Sequence, residues 1–155
     1  MSGDIQVDEQ LIRAALRLSA EYMLRNVEVV SEAADGDLMG GLIFAAILQA
    51  NVRPISNDPK LGKTYGQLDT IPPDELRWPV SVNALAESLK IPYETTRRHV
   101  NKLIKEGFCV KVANRGVIVP ASVVAQERMI KAAFQQYNHL MHFLGQLKEI
   151  GFTIG

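Results

Sequence analysis

The stretch that decides the fold spans residues 81–120 and reads SVNALAESLKIPYETTRRHVNKLIKEGFCVKVANRGVIVP. Its apolar residues recur at helical spacing over 83–89 and again over 93–105, and the proline-containing turn 90–92 separates the two patterns. Gly107 ends the second pattern and suits the left-handed conformation that closes many helices. This stretch therefore predicts two short helices joined by a tight turn.

Two β-rich runs follow the second of these helices. Residues 108–112 and 117–119 are mostly β-branched or apolar, and the tetrapeptide Ala-Asn-Arg-Gly between them is typical of a hairpin turn. Residues 80–82 can add a third, very short strand before the first helix. The predicted order is therefore strand, helix, turn, helix, strand, loop, strand.

In this order, residues 80–120 resemble the DNA-binding module of bacterial winged helix-turn-helix transcriptional regulators. The matching motifs are an Ala-x-x-Leu helix that packs on the recognition helix and a Leu-x-x-x-Gly ending, here Leu103–Gly107, that leads into the wing. The match covers about a quarter of the chain. The resemblance implies regulation of transcription through double-stranded DNA. It also implies a small-molecule effector between the helical and DNA-binding parts, whose identity and contacts the sequence does not supply.

The formal net charge of zero conceals a marked asymmetry along the chain. Residues 77–115 contain eight basic and three acidic residues, a net charge of +5. Residues 1–76 have a net charge of −6, and residues 116–155 a net charge of +1. A basic block of this kind indicates an anionic partner, although a solvated basic helix face would give the same pattern.

The second helix of the motif, over residues 93–105, has a polar and basic outward face. An α-helix fits the major groove of DNA, and its N-terminal half reaches the base edges. We therefore expect Arg98 to read a base and Arg97 to meet phosphate beside the groove. The predicted DNA-binding residues are Ser81, Tyr93, Glu94, Thr95, Arg97, Arg98, Asn101, Lys102, Lys105 and, at the wing tip 113–116, Arg115.

Two helices and a connector precede the motif. The apolar spacing predicts a long helix over residues 8–34, capped at Asp8 and stopped by Gly36. A second helix, capped by Asp37, is expected over Leu38–Asn51 and is apolar on all sides, which suits the first helix of a three-helix core. Residues 1–52 thus form an N-terminal helical part, and the proline-rich residues 53–79 form a connector.

A last helix is predicted to begin after Pro120 and to continue to about Ile150. Within residues 121–155, apolar residues alternate at spacings of three and four, which is the pattern of a heptad seam. We expect this seam to form the interface of a homodimer whose recognition helices lie about 34 Å apart in successive major grooves. The predicted interface residues are Ile130, Ala133, Tyr137, Leu140, Leu144 and Leu147.

Several other features predict no chemistry. The Gly62-Lys63-Thr64 sequence resembles the end of a phosphate loop, but Asn57 stands where the first glycine belongs. His139 and His142 lie on one helix without a carboxylate at helical spacing, so no metal site is expected. Cys109 lies in an apolar run and is expected in the core. We predict no catalytic residues, no cofactor and no enzymatic activity.

The composition is that of an ordinary globular protein, with 47% apolar and 22% charged residues. The longest uncharged stretch, residues 38–52, is shorter than the roughly 18 apolar residues of a membrane span. The start of the sequence does not resemble a secretory signal, so a cytoplasmic location is expected.

The predicted fold is mainly α with a small β-hairpin wing: a winged helix-turn-helix flanked by N- and C-terminal helices. The predicted function is sequence-specific DNA binding in transcription regulation. Two alternatives stay open. The winged helix can be a protein-interaction module, which would show no salt-dependent affinity for DNA. The helical part can instead be a small-molecule sensor to which the winged helix is appended.

Overall fold

A computed structural model describes residues 9–153, so the predicted helix cap at Asp8 lies outside the described residues. This part of the chain is mainly helical with one small antiparallel sheet, which confirms the predicted fold class at that level. The helices are α1 (Glu9–Ala33), α2 (Leu38–Ser56), α3 (Pro59–Thr64), α4 (Val82–Leu89), α5 (Tyr93–Lys105), α6 (Ala121–Val124) and α7 (Glu127–Glu149). A 3-10 turn at Asp74–Leu76 precedes α4, and the strands are β1 (Val110–Lys111) and β2 (Val117–Ile118).

The core forms around α2. Ile43 and Ile47 of this helix are fully buried, and they belong to one apolar cluster with Leu85 of α4, Val100 of α5 and Val119 beyond β2. The predicted local signals at its start are present, because Gly36 has a φ of +88° and the Asp37 side chain accepts a hydrogen bond from the Gly40 N–H at 3.0 Å. Helix α2 therefore connects the N-terminal helix α1 with the β1–β2 hairpin through contacts with both.

By length and composition alone, α2 is also the one helix among residues 9–153 that could cross a membrane, with a mean hydropathy of 1.4. Core helices of water-soluble proteins pass the same test. Here α2 packs against α1, α4, α5 and β2, and it buries the polar Asn51 as well as its isoleucines.

The Asn51 side chain connects α2 to two other segments. Its amide nitrogen donates to the carbonyl oxygens of Trp78, at 2.7 Å, and Val117, at 3.2 Å. Its oxygen accepts from the buried Val119 N–H at 2.9 Å. The Trp78 N–H donates in turn to the Asn51 carbonyl at 3.0 Å. One side chain thus forms hydrogen bonds with backbone groups in the segment before α4 and at the end of the β1–β2 hairpin.

The sheet is smaller than the sequence predicts. Val110 pairs with Ile118, and Lys111 pairs with Val117. The expected strand at 80–82 is reduced to a single bridge between Val80 and Val117. The run 108–112 contributes only two residues to the ladder, because the N–H groups at 108 and 109 both donate to the Leu103 carbonyl and so close the end of α5.

The hairpin turn depends on a glycine. Gly116 has a φ of +122°, and a β-carbon there would lie 2.3 Å from the Val80 carbonyl oxygen. No side chain fits this approach, so the glycine permits the bridge that holds the hairpin against the start of α4. The Val112 N–H closes the turn by donating to the Gly116 carbonyl at 2.9 Å.

Two helix boundaries differ from their predictions. Helix α2 continues past Asn51 to Ser56 and includes Pro54 in its last turn. Proline has no N–H group, so the helix lacks one backbone hydrogen bond at this position. The connector 53–79 is therefore partly helical: it contains the end of α2, then α3, then the 3-10 turn. Helix α3 begins at Pro59, and the Asp58 carboxylate caps it through two backbone N–H groups.

The predicted single C-terminal helix is two helices. Gln126 adopts an extended conformation, with φ −62° and ψ 141°, and it separates α6 from α7. Helix α7 then runs antiparallel to α1: the rings of Tyr22 and Phe143 stack at 4.9 Å, and Arg128 at the start of α7 bonds the Ala33 carbonyl at the end of α1. We call this antiparallel pair the α1–α7 hairpin.

The predicted dimer seam does not form one uncovered face of α7. Leu147 is buried within the chain, and Ile130 and Leu140 are half-buried. The other three seam residues, Ala133, Tyr137 and Leu144, are exposed. The seam was predicted on a 3.5-residue period, whereas the packing of α7 against α1 turns part of it inward.

Replacement of Asn51 by leucine should lower the free energy of unfolding by at least about 2 kcal/mol, because it leaves the Val119 N–H and the Trp78 carbonyl without partners. Chemical denaturation measures this change. Gln49→Leu, at an exposed position two residues earlier in α2, is the matched control and should change stability little. Equal stabilities for the two variants would contradict the role assigned to Asn51.

Candidate nucleic-acid interface

Helix α5 has one buried face and one exposed face, as its sequence predicts. Thr96 and Val100 are buried, and Leu103 and Ile104 are half-buried against the core. The Thr96 hydroxyl donates to the Pro92 carbonyl at 3.0 Å, so this inward polar group is satisfied within the first turn. The opposite face of the helix is left to solvent.

The structure places eight of the ten predicted DNA-binding residues on α5. The side chains of Tyr93, Glu94, Arg98, Asn101, Lys102 and Lys105 are exposed, whereas Thr95 and Arg97 are half-buried. Ser81 and Arg115 are exposed as well, at the start of α4 and in the hairpin turn. Gly116 lies against the backbone at Val80 and Ser81, so the start of α4 and the hairpin turn are neighbours.

Arg97 and Glu94 form an ion pair on the surface of α5. The Arg97 Nε lies 3.1 Å from both carboxylate oxygens of Glu94. The hydrogen bond from Arg97 holds the pKa of the Glu94 carboxyl below its usual value, and the same bond raises the pKa of Arg97. The pair uses the Nε and one terminal nitrogen of Arg97, so part of the hydrogen-bonding capacity of both side chains is already taken.

Arg98 differs from its neighbour. Its side chain is exposed and makes no hydrogen bond or ion pair with any residue of the described chain. Its guanidinium is therefore free to form two parallel hydrogen bonds with an external acceptor. The two adjacent arginines therefore differ: the guanidinium of Arg98 is wholly available, whereas that of Arg97 is partly occupied by Glu94.

Lys102 lies on the flank of α5 that faces α2. Its ammonium group is 3.6 Å from the Asp37 carboxylate, and the His99 Nδ1 is 3.8 Å from the same oxygen. The Gly40 N–H, followed by these two neighbours, holds the pKa of Asp37 below its usual value. Lys102 is among the predicted DNA-binding residues, but it already has an anionic partner in the chain.

Two further basic residues affect the charge of this region. Arg77 is only 4% exposed, so its guanidinium is not presented at the surface that a partner would meet, although burial lowers its pKa. Lys111 on β1 and Lys90 between α4 and α5 are both exposed. The sequence assigned neither lysine to the interface, although both lie within the basic block that indicated it.

The serine at the start of α4 and the lone cysteine have structural roles. The Ser81 hydroxyl accepts a hydrogen bond from the Ala84 N–H at 3.1 Å and caps the helix, so only its proton is available to phosphate.

Cys109 is in the core, as predicted, and burial raises the pKa of its thiol to about 12. Among residues 9–153, no three histidine, cysteine or carboxylate side chains are grouped as metal ligands.

Comparison of the chain with protein-family models, with curated proteins and with solved structures gives no match. Any function proposed for the chain therefore rests on the geometry and charge of its own residues.

The Asp37 carboxylate should stabilise the fold in a pH-dependent way. Because its pKa is lowered on folding, its ionised form contributes stability above the unfolded pKa of about 3.9, and this contribution disappears as the pH falls through the folded pKa. Asp37→Ala should cost about 1 kcal/mol at neutral pH through loss of the cap.

Asp37→Asn is the control, since asparagine caps as well as aspartate but carries no charge. Its stability deficit relative to the wild type, measured by denaturation at several pH values, should shrink in acid. A deficit that is constant from neutral to acidic pH would show that the charge of Asp37 is not what stabilises this junction.

Proposed function

We propose that the chain is a winged helix-turn-helix protein that binds double-stranded DNA and regulates transcription, with α5 in the major groove and the hairpin turn on the backbone or in the minor groove. The observation that supports this most directly is the exposed face of α5, where the unpaired Arg98 is flanked by Asn101 and Lys105. An exposed helix bearing arginine and asparagine is suited to direct reading of base edges.

The order of the elements supports the same proposal. Helix α2, the Val80 bridge, α4, α5 and the β1–β2 hairpin follow one another as helix, strand, helix, turn, helix and wing. The start of α4 and the hairpin turn lie together, so Ser81 and Arg115 would flank a duplex bound along α5.

A protein-interaction module is the alternative, since the same basic face can meet an acidic protein. Selection of genomic fragments with the purified full chain tests the two directly. Enrichment of a common motif, with an affinity that falls steeply with salt, supports DNA binding. Recovery of no fragment would favour the alternative, and equal recovery of all fragments would overturn sequence specificity.

Arg98→Ala should weaken binding to the selected motif by about 1–3 kcal/mol and relax the preference at one base pair. Arg97→Ala should instead lower affinity for all sequences by a similar factor, because a contact with phosphate carries no sequence information. Fluorescence anisotropy with matched and mutated duplexes measures both effects.

Arg25→Ala is the matched control for these variants, since Arg25 pairs with Glu21 on exposed α1 much as Arg97 pairs with Glu94 on α5. It removes the same charge far from α5 and should leave DNA affinity unchanged. Wild-type binding by Arg98→Ala and Arg97→Ala, with circular dichroism intact, would exclude α5 as the reading helix.

We also propose a homodimer, with the interface on the α1–α7 hairpin and not on the predicted seam alone. Apart from Leu24, which lies on another side of α1, seven large apolar side chains on the α1–α7 hairpin are between 41% and 61% exposed, which is unusual for a surface free of partners. They are Ile12, Leu16 and Met23 on α1 and Phe134, Tyr137, Met141 and Leu144 on α7.

Helical geometry puts both sets on one side of the hairpin. At 100° per residue, each set lies about 100–130° around its helix from the face that meets the other helix. Viewed from its own N-terminus, each helix turns in the same sense from the contact face to the apolar stripe. Because the helices are antiparallel, the two stripes therefore form one continuous surface. A second copy of this surface, related by a two-fold axis, would cover it as a four-helix bundle.

The double variant Tyr137→Lys, Met141→Lys should convert the dimer to a monomer, because it places four charges in the two-fold interface. Both side chains are exposed within one chain, so helicity should be retained. Sedimentation velocity measures the change, and Leu68→Lys, an exposed leucine outside the hairpin, is the control. A monomeric wild type, or a dimeric double variant, would overturn this interface.

A further inference from the structure

A cavity of about 370 Å³ lies between the α1–α7 hairpin and the α2–α5 pair. Its apolar walls come from five helices, α1, α2, α5, α6 and α7, and from the segment between α5 and β1. The main side chains are Val30 of α1, Phe44 and Leu48 of α2, Leu103 of α5, Phe108, and Met129 of α7. The volume falls within the range of about 300–1,000 Å³ that is usual for small-molecule sites.

Small residues and a rigid frame keep this space open. Ala33, Ala45 and Ala132 line it where larger side chains would fill it. Below them, α1 and α2 meet at Gly41, where a β-carbon would lie 2.8 Å from a methyl group of Val30. At Gly41, which also lines the cavity, α1 and α2 are thus closer than any larger residue would allow.

Aromatic rings form one side of the cavity. The rings of Phe44 and Phe108 meet edge to face, with centroids 6.2 Å apart and planes at 79°. The Arg128 guanidinium lies 6.0 Å from the centre of the Phe108 ring. The two rings offer a flat apolar guest both an edge and a face to contact.

The charged groups at the edge of the cavity largely compensate one another. They are Asp35, Asp37, His99, Lys102, Glu106 and Arg128. Arg128 lies 3.4 Å from Asp35, and Lys102 lies 3.6 Å from Asp37. Among the aspartates, glutamates, lysines and arginines of this set, the acids exceed the bases by one. An anionic guest would therefore find no unpaired cation in this set, and burial of its charge would be costly.

We propose that this cavity binds an uncharged, largely apolar small molecule with an aromatic ring, and that the bound molecule changes the affinity of α5 for DNA. The second half of this statement rests on the proposed function. Helix α5 supplies His99, Lys102 and Leu103 to the cavity and Arg98 to the outward face, so one rigid helix borders both sites.

The test uses N-phenylnaphthylamine, a neutral fluorescent probe, beside its sulfonated analogue anilinonaphthalene sulfonate. We expect saturable binding of the neutral probe, with one site per chain and a blue-shifted emission. The sulfonate should bind about tenfold more weakly or worse, because the site would bury an unpaired charge. Failure of the neutral probe to bind, or equal binding of both probes, would overturn the proposal.

Ala132→Phe should fill the cavity and lower the affinity for the neutral probe by about tenfold or more, since the added ring occupies the space of the guest. Ala45→Leu fills the same space from α2 with a smaller group, and it serves if Ala132→Phe does not fold. Ala84→Phe, at an exposed position on α4 outside the cavity, is the matched control and should bind the probe as the wild type does. Wild-type affinity in a folded cavity variant would overturn the assignment.

The exposed apolar stripes of the α1–α7 hairpin could also attract an apolar probe, and Met141→Lys distinguishes that surface from the cavity. Met141→Lys should leave the probe affinity unchanged. If Met141→Lys abolishes probe binding while the cavity variants retain it, the probe binds the surface of the α1–α7 hairpin and the proposal is overturned.

Coupling to DNA is measured separately, by anisotropy with and without saturating probe. Thermodynamic linkage requires the probe to change DNA affinity by the same factor by which DNA changes probe affinity. Probe binding with unchanged DNA affinity would overturn the regulatory half alone. Absence of DNA binding would overturn the proposed function, while the fluorescence titration would still decide the cavity.

Discussion

The amide of Asn51 is the constraint on which the rest of the structure depends. It is fully buried, and its three hydrogen bonds fix α2 against the segment before α4 and against the end of the hairpin. Because these bonds have defined directions, they set the orientation of α2 as well as its contact. An apolar residue at this position would allow the helix to slide or rotate in the core, whereas the amide permits one register. The outward face of α5 is presented in a fixed direction because its inward face packs on α2.

The parts of the fold that were predicted correctly depend on neighbours in sequence. Gly36, Asp37 and Gly107 act on their own helix ends, and all three have the predicted conformation or contact. The errors arise where a distant or competing partner decides. The strand predicted from 108 begins two residues late because two of its N–H groups bond to the end of α5. The uninterrupted last helix and its seam were predicted from periodicity, but Gln126 breaks the helix and α1 covers part of the seam.

The candidate interface likewise has features that follow from the local sequence and contacts that depend on the fold. The outward face of α5 follows from helical periodicity, so its members could be listed from sequence. Their partners could not be: the pairing of Lys102 with Asp37 joins residues far apart in the chain, and Arg97 and Arg98 look alike until the Glu94 pair is seen. The cavity gave no sequence signal of its own, because alanines and phenylalanines that are far apart in the chain define it only after α1, α2, α5 and α7 pack together.

The apolar length of α2 has a consequence for synthesis of the protein. The bonds that bury Asn51 reach residues 66 and 68 positions later in the chain. At roughly 5–20 residues per second, translation of that interval takes about 3–14 seconds, during which Asn51 lacks its partners at Val117 and Val119. Until then α2, with a mean hydropathy of 1.4, has the length and composition that chaperones and the membrane-insertion machinery recognise. Nascent chains stalled before residue 119 should therefore be the species on which these factors act. Release of α2 from these factors should coincide with emergence of the β1–β2 hairpin.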